Sequence, residues 1–112
     1  GMVDEIRKEA WLKVIAGPMA GKEYILFNDI TRLGSSPKCD IVIYRDPQVA
    51  PQQATIQVTG GRYSIVNNSA ANPVYLNDRP VSSSGLGNGQ SIRMGSTVFL
   101  FQLKESNKAV DL

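Results

Sequence analysis

Histidine is missing from this chain altogether, and cysteine occurs once, at Cys39. Without histidine, a Ser–His or Cys–His nucleophilic pair cannot be assembled within the chain. No cluster of ligating residues has the spacing of a metal site, so neither a metal nor another cofactor is expected. A lone cysteine allows no internal disulfide, which favours a reducing or redox-indifferent setting, the cytoplasm or the cytoplasmic face of a larger protein. No apolar run approaches the roughly eighteen residues needed to span a bilayer, and no signal peptide opens the chain. An excess of one charge is also lacking. Twelve Lys and Arg stand against ten Asp and Glu, a net charge of +2 with no single-sign run. That balance argues against nucleic acid as a partner, and the lack of a long apolar run against direct membrane contact. An enzyme is a distant reading, and a protein or peptide partner the favoured one.

The 112 residues are 42% hydrophobic and 20% charged, ordinary values for one globular domain large enough to bury a single core. Gly1-Met2 reads as a cloning remnant and residues 3–10 as a charged, weakly helical linker. The ordered domain is expected at residues 11–103, and residues 104–112 as a loose tail or a short terminal helix.

Between those limits no helical period is found. Residues 11–16 alternate Leu12, Val14 and Ala16 against Trp11, Lys13 and Ile15, which suits a half-buried strand. Further short strands follow at 22–27, 30–33, 54–58, 62–66, 74–76, 90–94 and 97–103. Gly60-Gly61, Asn77-Asp78, Asn88-Gly89 and Gly95-Ser96 supply turns, with Gly60-Gly61 the strongest hairpin signal. The seven residues 67–73 form a polar loop, and 82–85 a serine-rich one. This rhythm predicts an all-β sandwich of two antiparallel sheets. The glycines at 85, 87 and 89 open a strand and not a helix, so they are turn residues and not a dinucleotide loop. Asn67-Asn68-Ser69 is a formal glycosylation sequon without any sign of secretion.

Residues 33–56 carry a pattern on which the chain is organised. Leu33-Gly34, Asp40-Ile41, Ile43, Asp46-Pro47, Val49 and Ala54 fall in the order of a signature that resembles the forkhead-associated (FHA) domain. That family's pattern runs I-G-R, four residues, D-I-x-L, an acidic-proline turn, then V-S-R-x-H-A. The resemblance extends over residues 11–103. It includes Leu12, Val14, Gly17-Pro18, Gly21 and Leu26 in the first hairpin, then Tyr63, Ile65, Asn72, Leu76 and Asn77. Leu86, Gly89, Ile92, Met94, Gly95, Phe99 and Phe101 complete it. One extra residue near Tyr44-Arg45 departs from the usual spacing.

The resemblance implies an FHA-like sandwich that reads phosphothreonine peptides, yet the phosphate-reading positions differ. The family's Arg is Ser35, its Ser is Ala50, the following Arg is Pro51 and its His is Gln53. It also implies a binding surface at loops 34–39, 44–53 and 67–74, comprising Ser35, Ser36, Arg45, Ala50, Gln52, Asn72 and Val74. Val74 stands where the family has a Thr beside the groove. Asn72 either grips a peptide backbone, as the family's Asn does, or with Pro73 is only a turn. Gln53 is expected to brace loops, and Gly34, Asp40, Gly89 and Gly95 to be structural. Arg45, Lys38 and Arg32 are the nearby cations that could replace the lost Arg or simply decorate a solvated face. The reading is an interaction module for an unphosphorylated partner or another part of its own protein. A weak phosphothreonine reader and a structural domain of a larger protein are the alternatives.

Overall fold

A computed structural model describes the backbone of residues 2–111 and the side chains of residues 8–105. Gly1, half of the remnant reading, lies outside the described residues. The strands are β1 (Met2–Ala16), β2 (Glu23–Ile25), β3 (Ile30–Gly34), β4 (Ile41–Val42), β5 (Ala54–Thr59) and β6 (Arg62–Asn67). They continue with β7 (Val74–Leu76), β8 (Arg79–Val81), β9 (Ser83–Gly85), β10 (Ser91–Met94) and β11 (Thr97–Asp111). One sheet has six strands, ordered β2-β1-β11-β10-β7-β8, and the other five, ordered β4-β3-β5-β6-β9. The chain is thus the all-β sandwich that the strand rhythm predicts. Among the described residues its one departure from antiparallel pairing is β3 with β4, where Leu33 lies beside Ile41. Among the described residues no helix is long and apolar enough to cross a membrane.

The alternation of the sequence decides which side chains enter the core. On β10, Ile92 and Met94 are buried and Ser91 and Arg93 point the other way, and β5 buries Ala54 and Ile56 while exposing Gln57. Leu12, Val14, Leu33, Ile65, Phe99 and Phe101 fill the space between the sheets. Full burial of each such side chain contributes about 1.5–3 kcal/mol. Phe101 also meets Tyr63 with ring centroids 5.5 Å apart, a tilted pairing. Gly60-Gly61 (φ 57° and 77°) and Asn77-Asp78 (φ 47° and 67°) make two-residue hairpin turns with left-handed backbone.

Two segments differ from the sequence reading. The serine-rich loop contains β9, whose Ser84 lies opposite Ile65 of β6. A ladder bond needs only backbone, so the open edge of β6 recruits a segment with little strand propensity of its own. Residues 3–10 and 104–111, read as a weakly helical linker and a loose or helical tail, are strand instead. β1 and β11 pair from Val14↔Phe99 out to Met2↔Asp111, and the molecule measures 55 × 25 × 24 Å. The register shifts once, between Val14 and Ala16, which places Ile15 in a bulge, 48% exposed.

Candidate functional site

The connections 35–40, 43–53 and 68–73 meet at one end of the sandwich, where a fully buried amide joins the last two. Ala50 N–H donates to Gln53 Oε1 at 2.9 Å, and Gln53 Nε2 donates to Asn67 Oδ1 at 3.0 Å and to the Asn72 carbonyl at 2.8 Å. One acceptor and two donors are what a Gln carboxamide offers, so this orientation satisfies every neighbour and the flipped one satisfies none. Asn67 repeats the tie, donating from Nδ2 to Asn72 O at 3.1 Å and accepting from Ser69 N–H at 3.0 Å. Gln53 therefore couples the β4–β5 connection to the β6–β7 connection.

Asp46, in the same β4–β5 connection, ties this end to the other sheet. Its buried carboxylate accepts from Thr97 Oγ1 at 2.7 Å, Ser96 N–H at 2.9 Å and Ser96 Oγ at 3.2 Å. Burial pushes this carboxyl up, but hydrogen bonds from Thr97, Ser96 and Gln48 outweigh it and hold it below the ordinary carboxylate value. A folded-state pKa that is depressed stabilises the fold above the unfolded value, and that stability is lost as pH falls through the folded one. Thermal melts should therefore show the Tm falling as the pH drops below about 4. Asp46→Asn should lower the Tm at neutral pH and flatten that acid limb; an unchanged limb would assign it to other carboxylates. Gly95 (φ +61°) abuts the same carboxylate, and a Cβ there would sit 2.8 Å from Asp46 Cγ.

Gly34 is structural for a reason other than backbone freedom. Its φ is not left-handed; a Cβ would overlap the Pro51 carbonyl, lying 2.8 Å from Pro51 C and 3.0 Å from Ala50 O. Gly89 (φ +87°) turns the chain into β10, its N–H donating to Phe101 O at 2.8 Å. Asp40 ties β4 to β3, accepting from Arg32 N–H at 2.8 Å while its own N–H donates to Arg32 O at 2.9 Å. Arg32 Nη1 lies 3.9 Å from the same carboxylate, so this cation serves the β3–β4 pair. Cys39 is buried, its Sγ–H donating to Pro51 O at 3.2 Å. Burial and the neighbouring Asp40 charge keep its thiol pKa raised, the opposite of a nucleophile.

Of the expected surface residues, Ser35 and Arg45 share an open notch of about 550 Å³ with Tyr44, Pro47 and Val49. Arg45 has left-handed backbone (φ 57°), and Lys22 reaches the rim with Nζ 4.9 Å from the Tyr44 ring centre. Ser35 N–H donates to Ala50 O at 3.0 Å and Ser36 N–H to Pro51 O at 3.2 Å. Ser36 Oγ accepts from Lys38 N–H at 3.2 Å. Ala50 is half-buried, and Gln52 and Lys38 are exposed. Asn72 donates from Nδ2 to Gln48 O at 2.7 Å and accepts from Ser69 Oγ at 3.1 Å. Val74 is a correction: it is 0% exposed, opposite Met94 on one side and Val81 on the other, so it belongs to the core and not to the groove.

Sequence reasoning missed a second notch, of about 330 Å³, lined by Gln48, Asn72, Pro73, Tyr75, Arg93 and Gly95. The guanidinium carbon of Arg93 lies 4.0 Å over the Tyr75 ring, its neighbour across the β10–β7 ladder. The only sequence signal for it is the outward parity of Arg93 between buried Ile92 and Met94. Among the described residues no group of His, Cys, Asp and Glu could hold a metal ion.

Known proteins share this fold. A family model described as "Inner membrane component of T3SS, cytoplasmic domain" matches residues 13–105. The chain is 35% identical over 99 residues to an oxoglutarate dehydrogenase inhibitor of Corynebacterium jeikeium, covering 87% of this chain and 68% of that protein. It is 33% identical over 92 residues to the glycogen accumulation regulator GarA of Mycolicibacterium smegmatis, covering 82% of this chain but only 58% of GarA. The crystal structure of the FHA domain of CT664 from Chlamydia trachomatis superposes with a TM-score of 0.76 at 28% identity, over 84% of this chain and 96% of that one. On these matches the chain belongs to the family of that T3SS cytoplasmic domain, and it is a forkhead-associated domain, a protein-interaction module.

Proposed function

We propose that this domain docks a protein or peptide at the loop end of the sandwich and does so without reading a phosphothreonine. The observation that carries the reading is the state of the two family positions. Ser35 and Ala50 are bonded to each other through backbone, and together they offer one hydroxyl and one methyl group where a guanidinium and a hydroxyl would be needed. A hydrogen bond to a charged group is worth about 1.5–3 kcal/mol and a neutral one about 1 kcal/mol. Losing two such contacts lowers affinity by roughly tenfold to a thousandfold. Asn72 keeps one N–H and one lone pair beyond its bonds to Gln48 and Ser69, enough to meet a partner's backbone. The relatives named as a regulator and an inhibitor favour a protein as the partner. The cytoplasmic-domain description of the matched family suits the setting expected of a single buried thiol.

Calorimetry with threonine peptides in matched phosphorylated and plain forms tests the proposal. The wild type should show no clear preference between them. Ser35→Arg with Ala50→Ser should create a preference that weakens with added salt, because its main contribution is a cation–phosphate contact near the surface. Arg45 favours a second reading, since it lines the same notch as Ser35. Tight phosphate-dependent binding by the wild type, abolished in Arg45→Gln, would replace the first reading with that one.

A further inference from the structure

We infer that the notch lined by Gln48, Asn72, Tyr75 and Arg93 receives a carboxylate, the side chain of an aspartate or glutamate on the docked partner, with Arg93 as its anion-binding residue. The inference rests on the loop end being the docking surface, and it adds the chemistry that surface selects. Arg93 is half-buried and, among the described residues, is the one charged side chain lining this notch. The one ion pair among the described residues is Arg32 with Asp40, so no described carboxylate lies within 4 Å of the Arg93 guanidinium; Asp46, which abuts Gly95, is engaged by Ser96 and Thr97. Its guanidinium is held in place twice, by stacking 4.0 Å over the Tyr75 ring and by donation from Nη1 to the Gly95 carbonyl at 3.2 Å. A guanidinium has five N–H donors, so most of the fork remains to bind in a bidentate way. Because the ring contact and the Gly95 bond hold the guanidinium beforehand, little side-chain freedom is lost when an anion arrives.

The surroundings decide which anion. One cation balances one negative charge, and among the described residues no second cation lines the notch for a phosphoryl dianion. The Gly95 carbonyl beside the fork adds a partial negative charge that a dianion would feel more strongly. Asn72, which lines the same notch, can donate its second amide N–H to the partner's backbone while the acidic side chain reaches Arg93. The site shares no lining residue with the Ser35–Arg45 notch, so it is separate from the family's phosphate position.

Nitrogen-edited NMR of the full 112-residue chain tests this at constant ionic strength. The probes are N-acetyl-aspartate methylamide, its asparagine counterpart and inorganic phosphate. The aspartate probe should shift Arg93 Nε–Hε and the amides of Gln48, Asn72 and Gly95, and the asparagine probe should not. Arg93→Gln should weaken the aspartate response at least tenfold, about 1.4 kcal/mol. Arg93→Lys, which keeps the charge but not the fork, should fall between, and Arg45→Gln should leave the response in place. Equal shifts with the asparagine probe, shifts that follow Arg45, or tighter binding of phosphate than of aspartate at Arg93 would each overturn the inference. The two proposals fail separately. A silent Arg93 leaves phosphate-independent docking standing, and phosphate-dependent docking through Arg45 leaves the Arg93 response to be read by itself.

Discussion

Gly34→Val is expected to lower the Tm by about 12 °C or more, from a loss of about 3 kcal/mol in a domain of this size. The added Cβ would overlap the Pro51 carbonyl, which is backbone and already accepts from Ser36 N–H and Cys39 Sγ. The end of β3 and residues 50–51 must then separate. That movement breaks the bonds from Ser35 to Ala50, Ser36 to Pro51 and Gln53 N–H to Leu33 O, each worth about 1 kcal/mol net. Gly34→Ala isolates the cause, since φ here is open to alanine and only the contact opposes it. Gly21→Ala is the converse control, with left-handed backbone (φ +98°) and nothing within 4 Å of the new Cβ. Should Gly34→Ala melt like the wild type, the close approach of β3 to residues 50–51 would be wrong.

The strands that carry their own alternation were legible before the structure. Ile92 and Met94, Ala54 and Ile56, and Leu12 and Val14 declare their inward face by period alone. Gly60-Gly61 and Asn77-Asp78 declare left-handed turns by residue type. What the sequence hid depends on partners far along the chain. Asp46 looks like the acid of a local turn, but Ser96 and Thr97, which bind it, lie 50 and 51 positions later. β9 and the outer halves of β1 and β11 are strands because another edge offers backbone groups to pair with, a property of the neighbour.

The site shows the same division. Gln53 could be singled out by its place in the family pattern, yet its three partners come from positions 50, 67 and 72 and need the fold to converge. Val74 stands where the family has a groove-side Thr, and nothing local reveals that its side chain meets Met94 across the ladder. Arg93 was overlooked because a lone outward Arg on a strand is unremarkable until Tyr75 and Asn72 stand beside it.

Gln53→Leu is expected to cost about 2–4 kcal/mol, near 10 °C or more in Tm, and to loosen both loops that form the docking surface. The arithmetic follows from what each neighbour retains. Asn72 O still accepts from Asn67 Nδ2, and Asn67 Oδ1 still accepts from Ser69 N–H. Ala50 N–H loses the only acceptor it has among the described residues, and an orphaned buried N–H costs about 1–3 kcal/mol. Gln53→His keeps two of the three bonds, one ring nitrogen accepting from Ala50 N–H and the other donating towards Asn72 O, so it should fall between Gln53 and Leu. Gln53→Glu keeps the Ala50 bond but turns a carboxylate towards two acceptors. Its carboxyl should be raised above its unfolded value, so the deficit is small in acid and grows as the pH rises from about 4. Hydrogen exchange reads the second half of the prediction. The amides of Ala50 and Asn68, the latter bonded to Gln53 O at 2.8 Å, should exchange faster in Gln53→Leu, while those of β10 keep their protection relative to global stability. Uniform loss of protection across both sheets would make Gln53 an ordinary core residue and leave the two loops coupled by something else.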